Sequence, residues 1–212
     1  MARLVSIQVG RPRDLETDEG VEWRSAFIKA PVAGTVRLSE LNLDGDFQAD
    51  QHHHGGPDQA VLCYSADHYP AWRSELEMPD LPHGAFGENF TIEGHTEESV
   101  CVGDVYEVGE AVVQVSVQRG PCYKISYRWN RPDLLALVER SGRHGWYLRV
   151  LMEGMIEPGL EIRLVERPSP GWPIRRAADV WRRRRVDLEA AAQLAACPEY
   201  PAGAREELLK SG

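Results

Sequence analysis

The sequence contains few cysteines, and their positions form no recognisable metal-binding or redox pattern. The four cysteines stand at positions 63, 101, 122 and 197, and no two of them have the C-x-x-C spacing. Scattered cysteines of this kind argue against a disulfide framework and against a structural zinc site. They also argue against a ferredoxin-type iron–sulfur cluster, which needs a clustered set of thiolates.

Long apolar segments are lacking as well. No window approaches the roughly 18 consecutive apolar residues of a membrane-spanning helix, and the N-terminal MARLVSIQVG lacks the apolar core of a signal peptide. We therefore expect a soluble cytoplasmic protein without a membrane partner. The patterns G-x-G-x-x-G after a strand and G-x-x-x-x-G-K are absent, which argues against dinucleotide and Walker-type nucleotide sites.

Positive charge is scarce except near the C-terminus. The net charge is -9, whereas the part from Arg167 onward holds nine Lys or Arg against six Asp or Glu. An acidic body is a poor match for a nucleic-acid backbone, so no nucleic-acid partner is expected. The hydrophobic fraction of 42% over 212 residues is enough for a real core.

The segment 112–124, VVQVSVQRGPCYK, combines a strand pattern with a cysteine. Its valines alternate with polar residues, which predicts a half-buried strand, and Gly120 with the following proline ends it. Cys122 then lies between Arg119 and Lys124, cationic neighbours that favour the thiolate, the form that acts as nucleophile or metal ligand. The alternative is a small buried hydrophobic residue, because free cysteines are often buried.

The segment 44–60, DGDFQADQHHHGGPDQA, is rich in glycine, histidine and acidic residues. Adjacent side chains point in different directions, so direct metal ligation by the three histidines is disfavoured. We favour a loop in which the Gly55–Gly56 backbone or the His54 ring approaches a polar ligand, with a structural turn as the alternative. His52 and His53 receive no role.

Two further polar groups have both a functional and a structural interpretation. Glu88 and Asn89 follow a glycine and either serve the site or close a turn. A strand is predicted over 22–28, which contains Arg24 and Ser25 and is followed by Lys29. These three side chains either face a phosphate or are solvated.

Short strands separated by glycine turns predict a sandwich or a barrel. Tyr69, Trp72 and Leu76 are expected in the core, on a helix that Asp67 caps.

Asn130 is expected to cap a helix over 131–141 that Gly142 ends. Segments 146–151 and 160–165 are expected to pair through the turn at 157–159. A proline-rich linker at 168–173 separates a domain at 1–166 from an extension at 167–212, with helices expected over 174–185, 187–196 and 204–210.

Several motifs in a fixed order resemble the MOSC-domain family, named for the C-terminal domain of molybdenum-cofactor sulfurase, and the three C-terminal helices resemble its YiiM-like subgroup. The motifs are, in chain order, KAPVAG at 29–34, HGGPDQAV at 54–61, FGENFT at 86–91, GD at 103–104, QRGPCYK at 118–124, and YLRVLMEG with IEPG within 147–159. The resemblance spans nearly the whole chain. It implies a mixed α+β, predominantly β fold, a MOSC β-barrel-like domain with a small helical extension.

The same resemblance implies a molybdenum cofactor, Mo-molybdopterin, whose metal takes Cys122 as its protein ligand. Soft thiolate suits such a centre, and the neighbouring cations balance an anionic cofactor. The implied cofactor-binding residues are Cys122, Arg119 and Lys124, then His54, Gly55, Glu88 and Asn89 along the pocket, and Arg24, Ser25 or Lys29 at the phosphate.

The implied activity is reduction of N-hydroxylated compounds, including N-hydroxylated bases, to amines by oxygen-atom transfer. With no flavin motif and no cluster cysteines, the electrons must come from a separate reductase, for which the basic helical tail is the expected docking surface. Two alternatives remain open. Cys122 could carry a persulfide for metal–sulfur or cofactor assembly, or the chain could bind or store the cofactor without turnover.

Overall fold

The computed structural model describes residues 1–50 and 54–210, and within them the chain forms twelve strands and six α-helices. The strands are β1 Ala2–Val9, β2 Arg13–Glu16, β3 Glu22–Ser25, β4 Ala30–Pro31, β5 Val36–Leu38, β6 Val61–Ser65, β7 Phe90–Glu93, β8 Val105–Val108, β9 Ala111–Gln118, β10 Trp146–Met152, β11 Gly154–Ile156 and β12 Glu161–Glu166. The helices are α1 Tyr69–Glu75, α2 Lys124–Trp129, α3 Leu134–Ser141, α4 Ile174–Arg183, α5 Leu188–Ala195 and α6 Ala202–Leu209. Short 3₁₀ turns cover Pro57–Gln59 and Ala66–His68.

Seven strands form a closed barrel. Their order is β12-β8-β9-β10-β6-β7-β1, and β1 pairs with β12 to close it, with Ala2 opposite Ile162. All neighbours are antiparallel except β6 and β7, which run parallel. β4 extends the sheet beyond β1, while β2 with β3 and β5 with β11 form two small separate ribbons. The predicted mixed, predominantly β fold with C-terminal helices is confirmed.

The alternation predicted for β9 is visible in its burial. Val113 and Val115 are fully buried in the barrel, whereas Gln114 between them is partly exposed. Towards its end the strand is buried on both faces, where the Ser116 hydroxyl donates to the Asp58 carbonyl and the Gln118 side chain accepts from the Tyr200 hydroxyl.

The C-terminal helices share the core of the barrel. Ile174 and Ala177 of α4 and Leu194 of α5 belong to the same buried cluster as the barrel valines. Asp187 caps α5 as predicted, since its carboxylate accepts from the Ala190 amide at 3.1 Å. Although the boundary at 166 separates strands from helices, the two parts are joined by one hydrophobic core. No helix among the described residues is long and apolar enough to cross a membrane.

A second buried cluster lies under α1, α2 and α3. The predicted core residues Tyr69, Trp72 and Leu76 are buried in it, together with Phe86. The predicted Asp67 cap is wrong: α1 starts after His68, which makes no capping side-chain hydrogen bond. The Ser65 hydroxyl accepts from the Asp67 amide at 3.2 Å and caps the preceding 3₁₀ turn. The Asp67 carboxylate instead accepts from the Gly94 amide at 3.1 Å.

The predicted helix over 131–141 begins later than expected. Asn130 has a φ of 47° and ends α2, a helix that the sequence analysis did not predict. Arg131 precedes a proline, which disfavours helical backbone, so α3 starts at Leu134. Gly142 ends α3 with a φ of 72°, as predicted.

The predicted pairing of 146–151 with 160–165 is also wrong. β10 pairs with β9 and β6, whereas β12 pairs with β8 and β1. The segment between them is not a tight turn, because β11 leaves the barrel to pair with β5.

Candidate functional site

A cleft opens where β9 ends. It is bordered by the segment after β3, by the loop that follows Asp46 and by the turn that leads from β9 into α2. About 700 Å³ in it is free of protein atoms, counting the solvent at its mouth. Seven of the predicted site residues line it: Ser25, Lys29, His54, Gly55, Arg119, Cys122 and Lys124.

Cys122 differs from the other cysteines in its position. It is half-buried in the cleft wall, and its carbonyl accepts from the Ile125 amide at 3.1 Å in the turn that starts α2. Cys63, Cys101 and Cys197 are buried, and burial raises the pKa of each of these thiols. Cys122 is therefore the cysteine placed for chemistry with a ligand.

Arg119 is the most unusual cation in the cleft. Its side chain is only 3% exposed, and within the described part of the chain its Nη1 has no hydrogen-bond partner. The backbone around it is fixed, because the Arg119 amide donates to the Gly145 carbonyl at 3.1 Å. A buried guanidinium with an unused donor at a cleft is suited to an anionic ligand.

The two lysines of the cleft are held differently. Lys29 forms an ion pair with the buried Asp46, and burial lowers the pKa of Lys29 although Asp46 opposes this shift. Lys124 donates to the Arg24 carbonyl at 3.3 Å. With Arg119 they give the cleft three cationic side chains.

Asp46 anchors the floor of the cleft, a role that the sequence analysis missed. Its carboxylate accepts from the Gly10 amide at 2.7 Å and from the Asn89 amide group at 2.9 Å, besides its ion pair with Lys29. Asn89 also accepts from the Leu62 amide at 3.1 Å and donates to the Gln8 carbonyl at 3.1 Å. The signal available in the sequence was only an aspartate in a glycine-containing loop.

Three predicted site residues do not add side chains to the cleft lining. Glu88 is fully buried and Asn89 nearly so, and both use their polar atoms inside the fold. Arg24 is exposed on the β2–β3 ribbon and pairs with Asp14 at 2.8 Å, so that only its carbonyl contacts a site residue. His52 and His53 lie outside the described residues.

Tyr147 is a second residue that the sequence analysis missed. It lines the cleft, and burial raises the pKa of its hydroxyl, with Arg119 opposing and Cys122 adding to the shift. It opens the YLRVLMEG segment, so its position in a motif was visible in the sequence but its direction was not.

The loop that carries His54 and Gly55 is tied to the barrel. Arg149 of β10 pairs with Asp58 at 2.7 Å, and the Ser116 hydroxyl donates to the Asp58 carbonyl at 2.5 Å. Gly55 has a φ of +89°, and a Cβ there would come within 3.1 Å of Gln48, so this position favours glycine.

Comparisons with known proteins place the chain in a family. The sequence model of the MOSC domain matches residues 50–163. The protein YiiM of Escherichia coli is 40% identical over 159 residues, covering 74% of this chain and 71% of that protein. A protein named "Reductase" from Gibberella moniliformis is 40% identical over 200 residues, covering 93% of this chain but only 35% of that protein.

The solved structures agree with the sequence matches. The crystal structure of YiiM from Geobacillus stearothermophilus superposes with a TM-score of 0.83 at 35% identity, and the match covers 100% of this chain and 99% of that one. This chain therefore belongs to the MOSC-domain family, with YiiM proteins as homologues in both sequence and structure.

Proposed function

We propose that this chain is a molybdenum-cofactor-dependent reductase that converts N-hydroxylated compounds to amines. The observation that carries the proposal is the cleft lined by half-buried Cys122 and by a buried Arg119 whose Nη1 has no partner among the described residues. A homologue named "Reductase" and membership of the MOSC family support a redox role.

The residues of the cleft fit this cofactor. Within the part of the chain that the structure describes, no group of three or more His, Cys, Asp or Glu side chains converges to hold a metal ion. A single thiolate suits a metal that already carries sulfur ligands from its cofactor. Arg119, Lys124 and Lys29 would balance the anionic cofactor and its phosphate, and Cys122 would supply the protein ligand.

When bound, the cofactor supplies two-electron oxygen-atom transfer, so that R–NHOH, two electrons and two protons give R–NH2 and water. The chain contributes binding, orientation and proton positions. Because burial raises the pKa of Tyr147, its Oη stays protonated at neutral pH and offers a hydrogen bond to a substrate oxygen. The fixed Asp46 carboxylate holds the Lys29 ammonium beside the cleft.

The electrons come from a separate donor in this proposal, and we place its docking surface at Arg182, Arg183 and Arg185. These three side chains are exposed at the end of α4 and just beyond it. Trp181, the residue before them, lies on a cleft that adjoins the Cys122 site. In the fungal "Reductase" most of the protein lies outside the matched region.

The decisive experiment measures molybdenum and pterin in protein from a cofactor-competent host, together with reduction of an N-hydroxylated base. We expect near-stoichiometric molybdenum in the wild type and its loss in Cys122→Ala. The matched control is Cys101→Ser, which changes a buried thiol away from the cleft and should leave both quantities unchanged. Metal retained in Cys122→Ala would contradict the proposed ligand.

A sulfur carrier is the second candidate, because a persulfide needs an accessible thiol and Cys122 is partly exposed. Protein without molybdenum but with cyanide-labile sulfur that disappears in Cys122→Ala would support this alternative. Bound cofactor without turnover, when a chemical reductant is supplied, would instead indicate a storage module.

A further inference from the structure

A second cleft adjoins the Cys122 site, and the C-terminal helices form its outer wall. About 1100 Å³ in it is free of protein atoms, counting the solvent at its mouth, against about 700 Å³ in the Cys122 cleft. Trp181 of α4 and Gly203 of α6 lie on one side, while the turn Pro57–Gln59 and the end of β9 lie on the other.

The two clefts are neighbours. Five residues line both of them: His54, Gly55, Gln59, Gly120 and Tyr147. Tyr147 thus stands at the border between the Cys122 cleft and the second cleft. A molecule in the second cleft could extend one end past Tyr147 towards Cys122.

The clefts differ in charge. Lys29, Arg119 and Lys124 line the Cys122 cleft together with two aspartates, Asp50 and the Asp46 that pairs with Lys29, so that cations are in excess there. The described lining of the second cleft contains no lysine or arginine. Its one carboxylate, Asp58, is paired with Arg149 at 2.7 Å. An anionic cofactor therefore belongs in the first cleft, and a neutral molecule in the second.

The lining also indicates the shape of that molecule. Trp181 offers an indole ring, over which the Arg184 guanidinium lies at 4.5 Å from the ring centre. Gly55, Gly56 and Gly203 present backbone without side chains, which leaves room for a flat ring. Gln118, whose Oε1 accepts from the Tyr200 hydroxyl at 2.9 Å, and Gln59 bring amide groups suited to the polar edge of a heterocycle.

We propose that the second cleft binds the ring of a neutral, planar N-hydroxylated substrate and that Trp181 and Gly203 make the C-terminal helices a determinant of substrate size. The inference rests on the proposed reductase function. It assigns selectivity to the helical extension, whereas cofactor binding belongs to the barrel.

The test variant places a side chain in the second cleft and leaves the lining of the Cys122 cleft unchanged. A Cβ at Gly203 would meet no atom within 4 Å, so Gly203→Leu should fold and occupy space in the cleft. Gly171→Leu is the matched control, because Gly171 is exposed, a Cβ there meets only the end of Arg176, and the residue does not line the cleft. Trp181→Phe removes part of the ring surface as a second probe.

Two substrates of different size are compared in the holoenzyme with a chemical reductant. For Gly203→Leu we expect kcat/KM to fall at least about tenfold with an N-hydroxylated purine and to stay within about twofold with hydroxylamine. Gly171→Leu should change neither value. Equal losses with both substrates, or no loss with the purine, would overturn the inference.

A binding measurement separates this inference from the proposed function. Adenine, a planar aminopurine, should bind the wild type in calorimetry whether or not the protein turns over, and Gly203→Leu should weaken that binding. If the wild type binds adenine but reduces neither substrate, the reductase proposal fails while the cleft assignment stands. Adenine that does not bind, or binds the variant equally well, contradicts the cleft assignment.

Discussion

Two buried charged side chains of this protein, Glu88 and Arg119, have opposite environments. Glu88 is fully buried, and its carboxyl group accepts hydrogen bonds from four donors: the Tyr69 hydroxyl, the Gly84 amide, the Phe86 amide and the Thr91 hydroxyl. Arg119 is nearly as buried, yet its Nη1 has no partner among the described residues. The fold satisfies the polar atoms of the first group, whereas the described residues leave one nitrogen of the second without a partner.

Under the proposed function, Glu88 has a structural role and Arg119 a ligand-binding one, a difference that follows from their hydrogen-bond partners and not from residue type. Both residues stand in motifs that the sequence analysis assigned to the cofactor pocket. Glu88 organises the loop before β7, while Arg119 lines the Cys122 cleft. Substitution of Glu88 should mainly lower stability, whereas substitution of Arg119 should mainly weaken cofactor binding.

The largest effect is expected from Glu88→Ala. The substitution leaves buried donors without an acceptor, each costing about 1–3 kcal/mol, so the free energy of unfolding should fall by about 3 kcal/mol or more. Urea unfolding followed by tryptophan fluorescence measures this loss. Glu88→Gln, which keeps the shape and one carbonyl acceptor, should lose less; equal stability of Glu88→Ala and wild type would show that the four contacts contribute little.

Arg119→Met should have the opposite result, with little change in stability and a large loss of cofactor. Replacing an unpaired buried charge with an apolar side chain should change the free energy of unfolding of cofactor-free protein by less than about 1 kcal/mol. Cofactor retention should fall about tenfold or more, because hydrogen bonds to charged groups contribute about 1.5–3 kcal/mol. Metal analysis after dialysis measures retention.

The control for Arg119 is Arg128→Met. Arg128 also has a buried nitrogen without a partner among the described residues, but it does not line the Cys122 cleft and stacks on Trp129 instead. Equal cofactor loss in both variants would show that a buried guanidinium alone does not identify the binding residue.

The free energy of unfolding is also expected to depend on pH. Burial lowers the pKa of His83, His95 and His144 below the ordinary value of 6.5. Because the unfolded chain then binds more protons than the folded one, the free energy of unfolding should decrease as pH falls below about 6.5. Denaturant titrations at several pH values test this, and His144→Gln should make the dependence weaker. A flat profile in the wild type would contradict the assignment.

The smallest effect on stability is expected from the exposed arginines at the end of α4 and just beyond it. Replacing Arg182, Arg183 and Arg185 with glutamate should change the free energy of unfolding by less than about 0.5 kcal/mol. Electron transfer from the protein donor should slow, while turnover with a chemical reductant is unchanged. Reversing exposed Arg3, Arg37 and Arg163 instead controls for net charge, and equal losses with both electron sources would argue against docking at the first set.

Local patterns in the sequence predicted much of this fold because they depend on neighbouring residues. The alternation in β9, the Asp187 cap and the stop at Gly142 need no distant partner. The position of Cys122 beyond the end of β9 was predictable for the same reason, since the strand end and the flanking cations are adjacent in the chain, whereas its role stays a prediction.

The remaining features depend on contacts between distant residues. Nothing near β10 or β12 indicates that each pairs elsewhere in the barrel rather than with the other. Asp46 became identifiable only once Lys29 and Asn89 were placed against it, and Tyr147 only once β10 lay beside the Cys122 turn. Glu88 and Asn89 stand in a sequence motif, yet their side chains form their hydrogen bonds inside the fold.

The closure of the barrel sets the order of events during synthesis. Ala2 emerges from the ribosome long before Ile162, its partner across the closing strands, so β1 must wait for most of the chain before its pairing is complete. The outer wall of the second cleft comes later still, with Gly203. If the proposed cofactor binds beside Cys122, its loading is therefore expected to follow translation.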